Sequence, residues 1–245
     1  MSTERPAFYA LRGGGWRDYL TLLHPPYTLW HLSYVVIGAC TVSDVNLAYL
    51  GWSVLAFFGA VGLAAHALDE LNGRPLRTSI PSFVLVAIAF VGLSGAVALG
   101  VLGAIRVSTW LFLFIVMGAF IALAYNLEWF GGTFHSDTWF AIGWGAFPAL
   151  TGAFAQIGHL TWAGILAAAA CAMLSAAQRI LSTPVRRLRR NALRIEGRVV
   201  YDDGSEEPLD NAWLRVTPER ALRCLSIAVP LVAAAMLAAA VMRRS

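Results

Sequence analysis

Apolar segments long enough to cross a bilayer recur along this chain, at about residues 27–43, 47–68, 80–103, 107–126, 138–157, 160–181 and 221–242. A hydrocarbon core of roughly 30 Å asks a helix for about 20 apolar residues. The expected fold is therefore all-α: a polytopic transmembrane helical bundle of about seven spans, forming one integral membrane domain over 1–245. Composition agrees, with 58% apolar and 13% charged residues and a mean hydropathy of +0.66. An ordinary soluble domain carries about 45–50% and roughly 25%. A disordered chain, a disulfide-stapled secreted module and a water-soluble enzyme are thereby excluded.

Charge placement orients the bundle. The chain has no lysine, so all 18 cations are arginines. The N-terminal stretch lacks an apolar run followed by a cleavage site and does not read as a signal peptide. Arg5, Arg12 and Arg17 precede the first span. With the N-terminus cytoplasmic, only Arg106, Arg243 and Arg244 fall outside, as the positive-inside bias requires of a plasma or inner membrane protein. The net charge of +4 therefore points to topology and anionic lipid, with no nucleic-acid partner. Trp16, Trp30, Trp110, Trp129, Trp139 and Trp162 fall near span ends as an interfacial belt. Cys40, Cys171 and Cys224 read as small buried residues at helix contacts. In the last polar loop, RVVYDDGSEEPL reads as a hairpin around Asp203-Gly204, within an insert at about 195–215. Thr217 and Pro218 then read as the start of the last helix.

Three cytoplasmic loops hold nearly all the polar chemistry. In HALDELNGRPLRT, residues His66, Asp69, Glu70 and Gly73 share one helical face, and Arg74 and Arg77 follow. Carboxylates beside arginines can hold a divalent cation and a phosphorylated group together, since hard oxygen ligands suit Mg²⁺. The same spacing also describes an interfacial loop with solvated charges. In AYNLEWFGGTFHSDTWF, residues Tyr125, Asn126, Glu128, His135 and Asp137 crowd a turn at Gly131-Gly132, and Ser136 or Asp137 can cap the next helix. After the sixth span, QRILSTPVRRLRRNALR carries Arg179 and five arginines from Arg186 to Arg194. Such a cluster serves topology and anionic lipid, or grips a lipid diphosphate through arginine forks. No nucleotide-binding glycine loop, nucleophile elbow, HExxH or CxxC is present.

The order of these pieces resembles the UbiA-type intramembrane prenyltransferases. The likeness runs over about residues 20–190: the opening HPPYTLWHLSYVVIGA, an acidic loop with RPL after the second span, a loop containing Tyr125 after the fourth, and the Gly-rich WFAIGWGAFPALTGAFAQ. It implies a UbiA-like helical bundle that holds Mg²⁺ and a prenyl diphosphate and passes the isoprenoid to a lipid-soluble acceptor. Against the family pattern NDxxDxxxD, Asp69 matches the middle acid, while His66 and Gly73 stand at the other two; Arg74 and Pro75 match the following RP. Where the second acidic motif would fall, AAQRILSTPVRRLRR has no carboxylate.

Carried onto this chain, the resemblance implies Asp69, Glu70 and His66 as catalytic residues. The diphosphate would meet Arg74, Arg77, Tyr125, Asn126, Arg179, Arg186 and Arg187. Mg²⁺ would be held among Asp69, Glu70, Glu128, His135 and Asp137. A non-catalytic membrane protein binding a lipid or a partner on the same fold is the alternative. A small transporter is a third, with Pro148 and Pro230 as candidate helix breaks.

Overall fold

The computed structural model describes residues 5–11 and 13–244; Arg12, one of the orienting arginines, lies outside them. The chain forms a helical bundle. A short α1 (Trp16–Leu22) leads into α2 (Pro25–Ala39). Next come α3 (Leu47–Leu71), α4 (Ser82–Arg106), α5 (Leu111–Asn126), α6 (Asp137–Ile157) and α7 (Trp162–Arg190). Strands β1 (Arg198–Val200) and β2 (Glu206–Pro208) pair antiparallel ahead of α8 (Asn211–Met242). Helices α3, α4, α6, α7 and α8 are each long and apolar enough to cross a membrane, which makes this an integral membrane protein. Helices α2 and α5 are shorter, at 15 and 16 residues. The exterior fits lipid: Phe83, Phe90, Ile105, Leu166, Met173 and Leu231 all stand exposed, a surface that water would not tolerate.

Helix starts are set by local chemistry. Side chains of Asn46, Ser136, Thr161 and Asp210 accept hydrogen bonds from first-turn amides of α3, α6, α7 and α8. Ser136 is thus the cap of α6. The last helix begins earlier than Thr217. It starts at Asn211, and Pro218 lies inside it. The additional turns are held by the end of α7, where Arg189 pairs with Glu219 at 2.6 Å and Asn211 donates to the Leu188 carbonyl. Those contacts compensate the backbone bond that proline removes.

Helix α6 is the central post: 61% of its apolar window is buried, against 17% to 28% for the other four. It meets α2, α7 and α8 in a core of Trp30, Tyr34, Ile37, Ala149, Cys171 and Val229. Trp30, expected in the interfacial belt, is fully buried there, whereas Trp16, Trp110 and Trp162 are exposed. Of the cysteines, Cys40 and Cys171 are buried and Cys224 is exposed, because it faces outward from α8. Two glycines let α2 and α6 touch backbone to backbone. A Cβ on Gly38 would strike the Ala149 carbonyl, and one on Gly152 the Val35 carbonyl. Both α3 and α6 also widen into π-helical turns, at Phe58–Ala65 and Ala141–Ala146.

The α3–α4 loop is tied to α1 by buried Asp18, which accepts from the Ser79 hydroxyl (2.6 Å) and from the amides of Ser79 and Gly14 (both 2.8 Å). Burial alone would raise its pKa, but these three donors outweigh it and hold the carboxyl below the usual range. A depressed folded pKa stabilises above the ordinary aspartate value near ~4 and is lost as pH falls through the lower folded value. Asp18→Asn is expected to cost about 1–3 kcal/mol at neutral pH, a deficit that shrinks on acidification below pH ~4; unchanged thermal unfolding in detergent at neutral pH would refute the tie. Gly38→Leu should cost about 3 kcal/mol or more through overpacking against backbone, while Gly51→Ala, where a Cβ meets nothing, should be neutral or slightly stabilising.

Candidate functional site

At the end of the bundle where α2 begins and α3, α5 and α7 finish, the helices enclose a polar cavity of about 360 Å³. Helix α2 contributes Tyr27 and His31, with His24 just before it. Helix α3 contributes His66 and Asp69; the α5–α6 segment adds Tyr125, Asn126, Glu128, His135 and Phe140. Helix α7 supplies Gln178, Arg179, Ser182, Thr183, Arg186, Arg187 and Arg190. Their spacing of three and four residues places that set on one helical face, which is why a single helix can line the wall with four guanidinium groups. Arg189 lies off this face, in its half-buried pair with Glu219.

Opposite the arginines the cavity is aromatic and sparingly acidic. The ring of His24 stacks on that of His66 at 4.2 Å and 10°, and His135 stacks on Tyr125 at 4.4 Å. The His31 Nδ1 lies 2.9 Å from the Trp144 carbonyl. His24 Nδ1 lies 2.9 Å from the Tyr9 hydroxyl. Burial, then the neighbouring Tyr27, keeps Tyr9 protonated far up the pH scale. Burial, then the charges of His66, Arg190 and Arg186, holds His24 neutral, its pKa well below the usual imidazole range. With Tyr9 assigned as donor to Nδ1, the His24 proton sits on Nε2. That atom is buried without a partner, as are Arg190 Nε and the oxygen of Gln178, a side chain only 3% exposed.

Backbone strain clusters here as well. Among the described residues, five non-glycine ones have a left-handed φ: His24, Arg74, Arg77, Glu128 and Phe130. All lie in loops at this end of the bundle. Such conformations cost on the order of 1–3 kcal/mol each and concentrate at ligand sites.

A second, apolar groove of about 130 Å³ runs between α3, α4, α5 and α6, lined by residues such as Trp52, Ala56, Leu93, Gly100, Ile115 and Phe147. The polar cavity and this groove share two wall residues, Ala65 and Trp144. Each belongs to one of the π-helical turns, so the widened helices meet where the two spaces adjoin.

The expected site residues divide. Asp69, His66, Tyr125, Asn126, Glu128, His135, Arg179, Arg186 and Arg187 line the cavity. Glu70 does not: it is fully buried, and its carboxylate accepts from the Leu76 amide (2.9 Å), the Thr78 amide (2.9 Å) and the Thr78 hydroxyl (2.8 Å). Arg74 also braces this loop, donating to the Ile80 carbonyl and the Ser82 hydroxyl, and Arg77 is exposed away from the cavity. Asp137 sits at the rim, paired with Arg179 at 2.7 Å. Among the described residues, no three His, Cys, Asp or Glu side chains come together as a metal set. One inward carboxylate, Asp69, and the 54% exposed Glu128 face four arginines, a donor set that does not fit the Mg²⁺ the resemblance implies.

Tyr9, His24, Tyr27, His31 and Gln178 are not singled out as site residues by the sequence, and Arg190 enters there only as one of the five arginines from Arg186 to Arg194. For α2 a signal exists: in HPPYTLWHLSY, His24, Tyr27, His31 and Tyr34 recur at helical spacing, a polar-tipped stripe on an apolar helix. No family model, curated protein or solved structure matches this chain. Glu70→Ala is expected to cost about 1–3 kcal/mol by orphaning the loop donors, read as earlier thermal unfolding. A destabilised loop with ligand affinity at the cavity retained supports the bracing role; affinity lost without a change in stability would oppose it.

Proposed function

We propose that this protein is a membrane transferase that moves a prenyl or polyprenyl group from its diphosphate to a lipid-soluble acceptor. One observation carries the reading: an arginine-lined cavity adjoins an apolar groove at Ala65 and Trp144. An amphiphile with a phosphorylated head and a hydrocarbon tail requires that juxtaposition. The chemistry is assigned as follows. The bond between the first prenyl carbon and the bridging oxygen breaks, its electron pair leaving with the diphosphate. The arginines neutralise the departing charge. The acceptor's nucleophilic atom bonds to that carbon, and its proton passes to Asp69, the inward carboxylate. The rings of Tyr125 and Trp144, 4.3 Å apart, offer π faces to the positive charge that develops on the allylic carbon.

In this reading α2 and α5 join the five longer helices as spans, giving seven in a UbiA-like arrangement, and the arginine bias supports a cytoplasmic N-terminus and cytoplasmic cavity. A second reading, a non-catalytic lipid-binding protein on the same fold, is favoured by the scarcity of inward carboxylates. Incubating the purified protein with labelled prenyl diphosphates and lipid-soluble acceptors separates them. Transfer is expected, with Asp69→Asn about 100-fold slower or worse. Ala56→Trp, which fills the apolar groove, should weaken prenyl diphosphate binding about tenfold or more while sparing inorganic pyrophosphate. Tight binding without transfer to any acceptor would establish the second reading instead.

A further inference from the structure

We infer that the cavity grips a diphosphate directly through the arginine face of α7, without a divalent cation. The inference rests on the lipid diphosphate reading above and concerns how the head group is held. Arg179, Arg186, Arg187 and Arg190 reach the cavity from one face of a single helix. A guanidinium fork matches a pair of phosphate oxygens and keeps its charge at any accessible pH. Four such groups repel one another, and the carboxylates nearby offset them only in part: Asp137 pairs with Arg179 at the rim, and Asp69 and the largely exposed Glu128 are the carboxylates on the cavity wall. An anion of about two or more negative charges removes that repulsion. A dication would add to it.

Two buried donors independently ask for an anionic acceptor. Arg190 Nε has no partner, and neither does His24 Nε2, which is the protonated nitrogen in the tautomer that has Tyr9 donating to Nδ1. An unsatisfied buried donor is costly unless a ligand completes it. Both side chains line this cavity. Phosphate oxygens supply acceptors to both at once. The carboxylates, by contrast, do not converge: Glu70 is consumed by the Leu76–Thr78 loop and Asp137 by Arg179.

The test is equilibrium binding of farnesyl diphosphate and of inorganic pyrophosphate to the full chain in detergent, in Mg²⁺ and in EDTA. Affinity for both probes should change less than about threefold between the two conditions. In EDTA, Arg186→Gln and Arg190→Gln should each weaken binding about tenfold or more, and Arg186→Lys should recover only part of that loss. Asp69→Asn should bind as well as the parent chain or better. Arg198→Gln, in the hairpin, is the control for a bulk charge effect, and thermal unfolding checks that each variant is folded. Binding abolished by EDTA and equally by Asp69→Asn would overturn the metal-free clamp and leave the lipid diphosphate reading standing. Binding of pyrophosphate alone would keep the clamp and overturn the amphiphile. No binding of either probe under any condition would overturn both.

Discussion

Backbone contact between α2 and α6 is the constraint on which the rest of the bundle depends. Helices in lipid gain little from burying apolar side chains, since the surroundings are equally apolar, and associate instead through close van der Waals packing. Gly38 and Gly152 allow that approach, each facing a carbonyl that a Cβ would strike. The contact makes α6 the buried post of the bundle and places Trp144 one side of the junction between the two cavities. His31 on α2 then meets the Trp144 carbonyl, so the same helix pair that closes the core also sets the cavity floor.

At the polar end, the arrangement of charge is economical in a different sense: groups that stabilise loops are separated from groups that face the cavity. Glu70, Asp18 and Arg74 each satisfy several backbone or hydroxyl partners of the α3–α4 loop and its neighbours. Asp69, next in sequence to Glu70, points instead into the cavity. Adjacent residues on a helix lie about 100° apart, so one can brace a loop while the other meets a ligand. The arginines after the sixth apolar segment divide by the same geometry, with Arg186, Arg187 and Arg190 inward and Arg189 bound to Glu219.

Much of this is legible in the sequence. The spans of α3, α4, α6, α7 and α8 follow from apolar length alone, because the bilayer sets that length. The hairpin turn at Asp203-Gly204 follows from local turn chemistry, and the caps Ser136 and Thr161 are of the residue types that favour such positions. Less legible were features that depend on distant partners. The start of α8 moved to Asn211 because the end of α7 holds it there. Trp30 left the interfacial belt for the core because α6 and α7 pack over it. Nothing in a helical spacing rule distinguishes Glu70 from Asp69 as a ligand, since both sit on the polar side of one turn.

By itself the sequence determined that this chain is a membrane-embedded helical protein with its ionisable groups gathered into a few loops. Hydropathy and charge are properties of residues and need no partner to be read. Only the tertiary structure decided which of those groups share a cavity, that Glu70 and Arg74 are consumed by a loop, and that the arginine face adjoins an apolar groove at Ala65 and Trp144. The physical reason is that a side chain's role depends on what satisfies its hydrogen bonds and charge. For the cavity those partners come from other helices, tens of residues away along the chain, whereas Glu70 and Arg74 find theirs a few residues on, in a loop whose path helical spacing does not give.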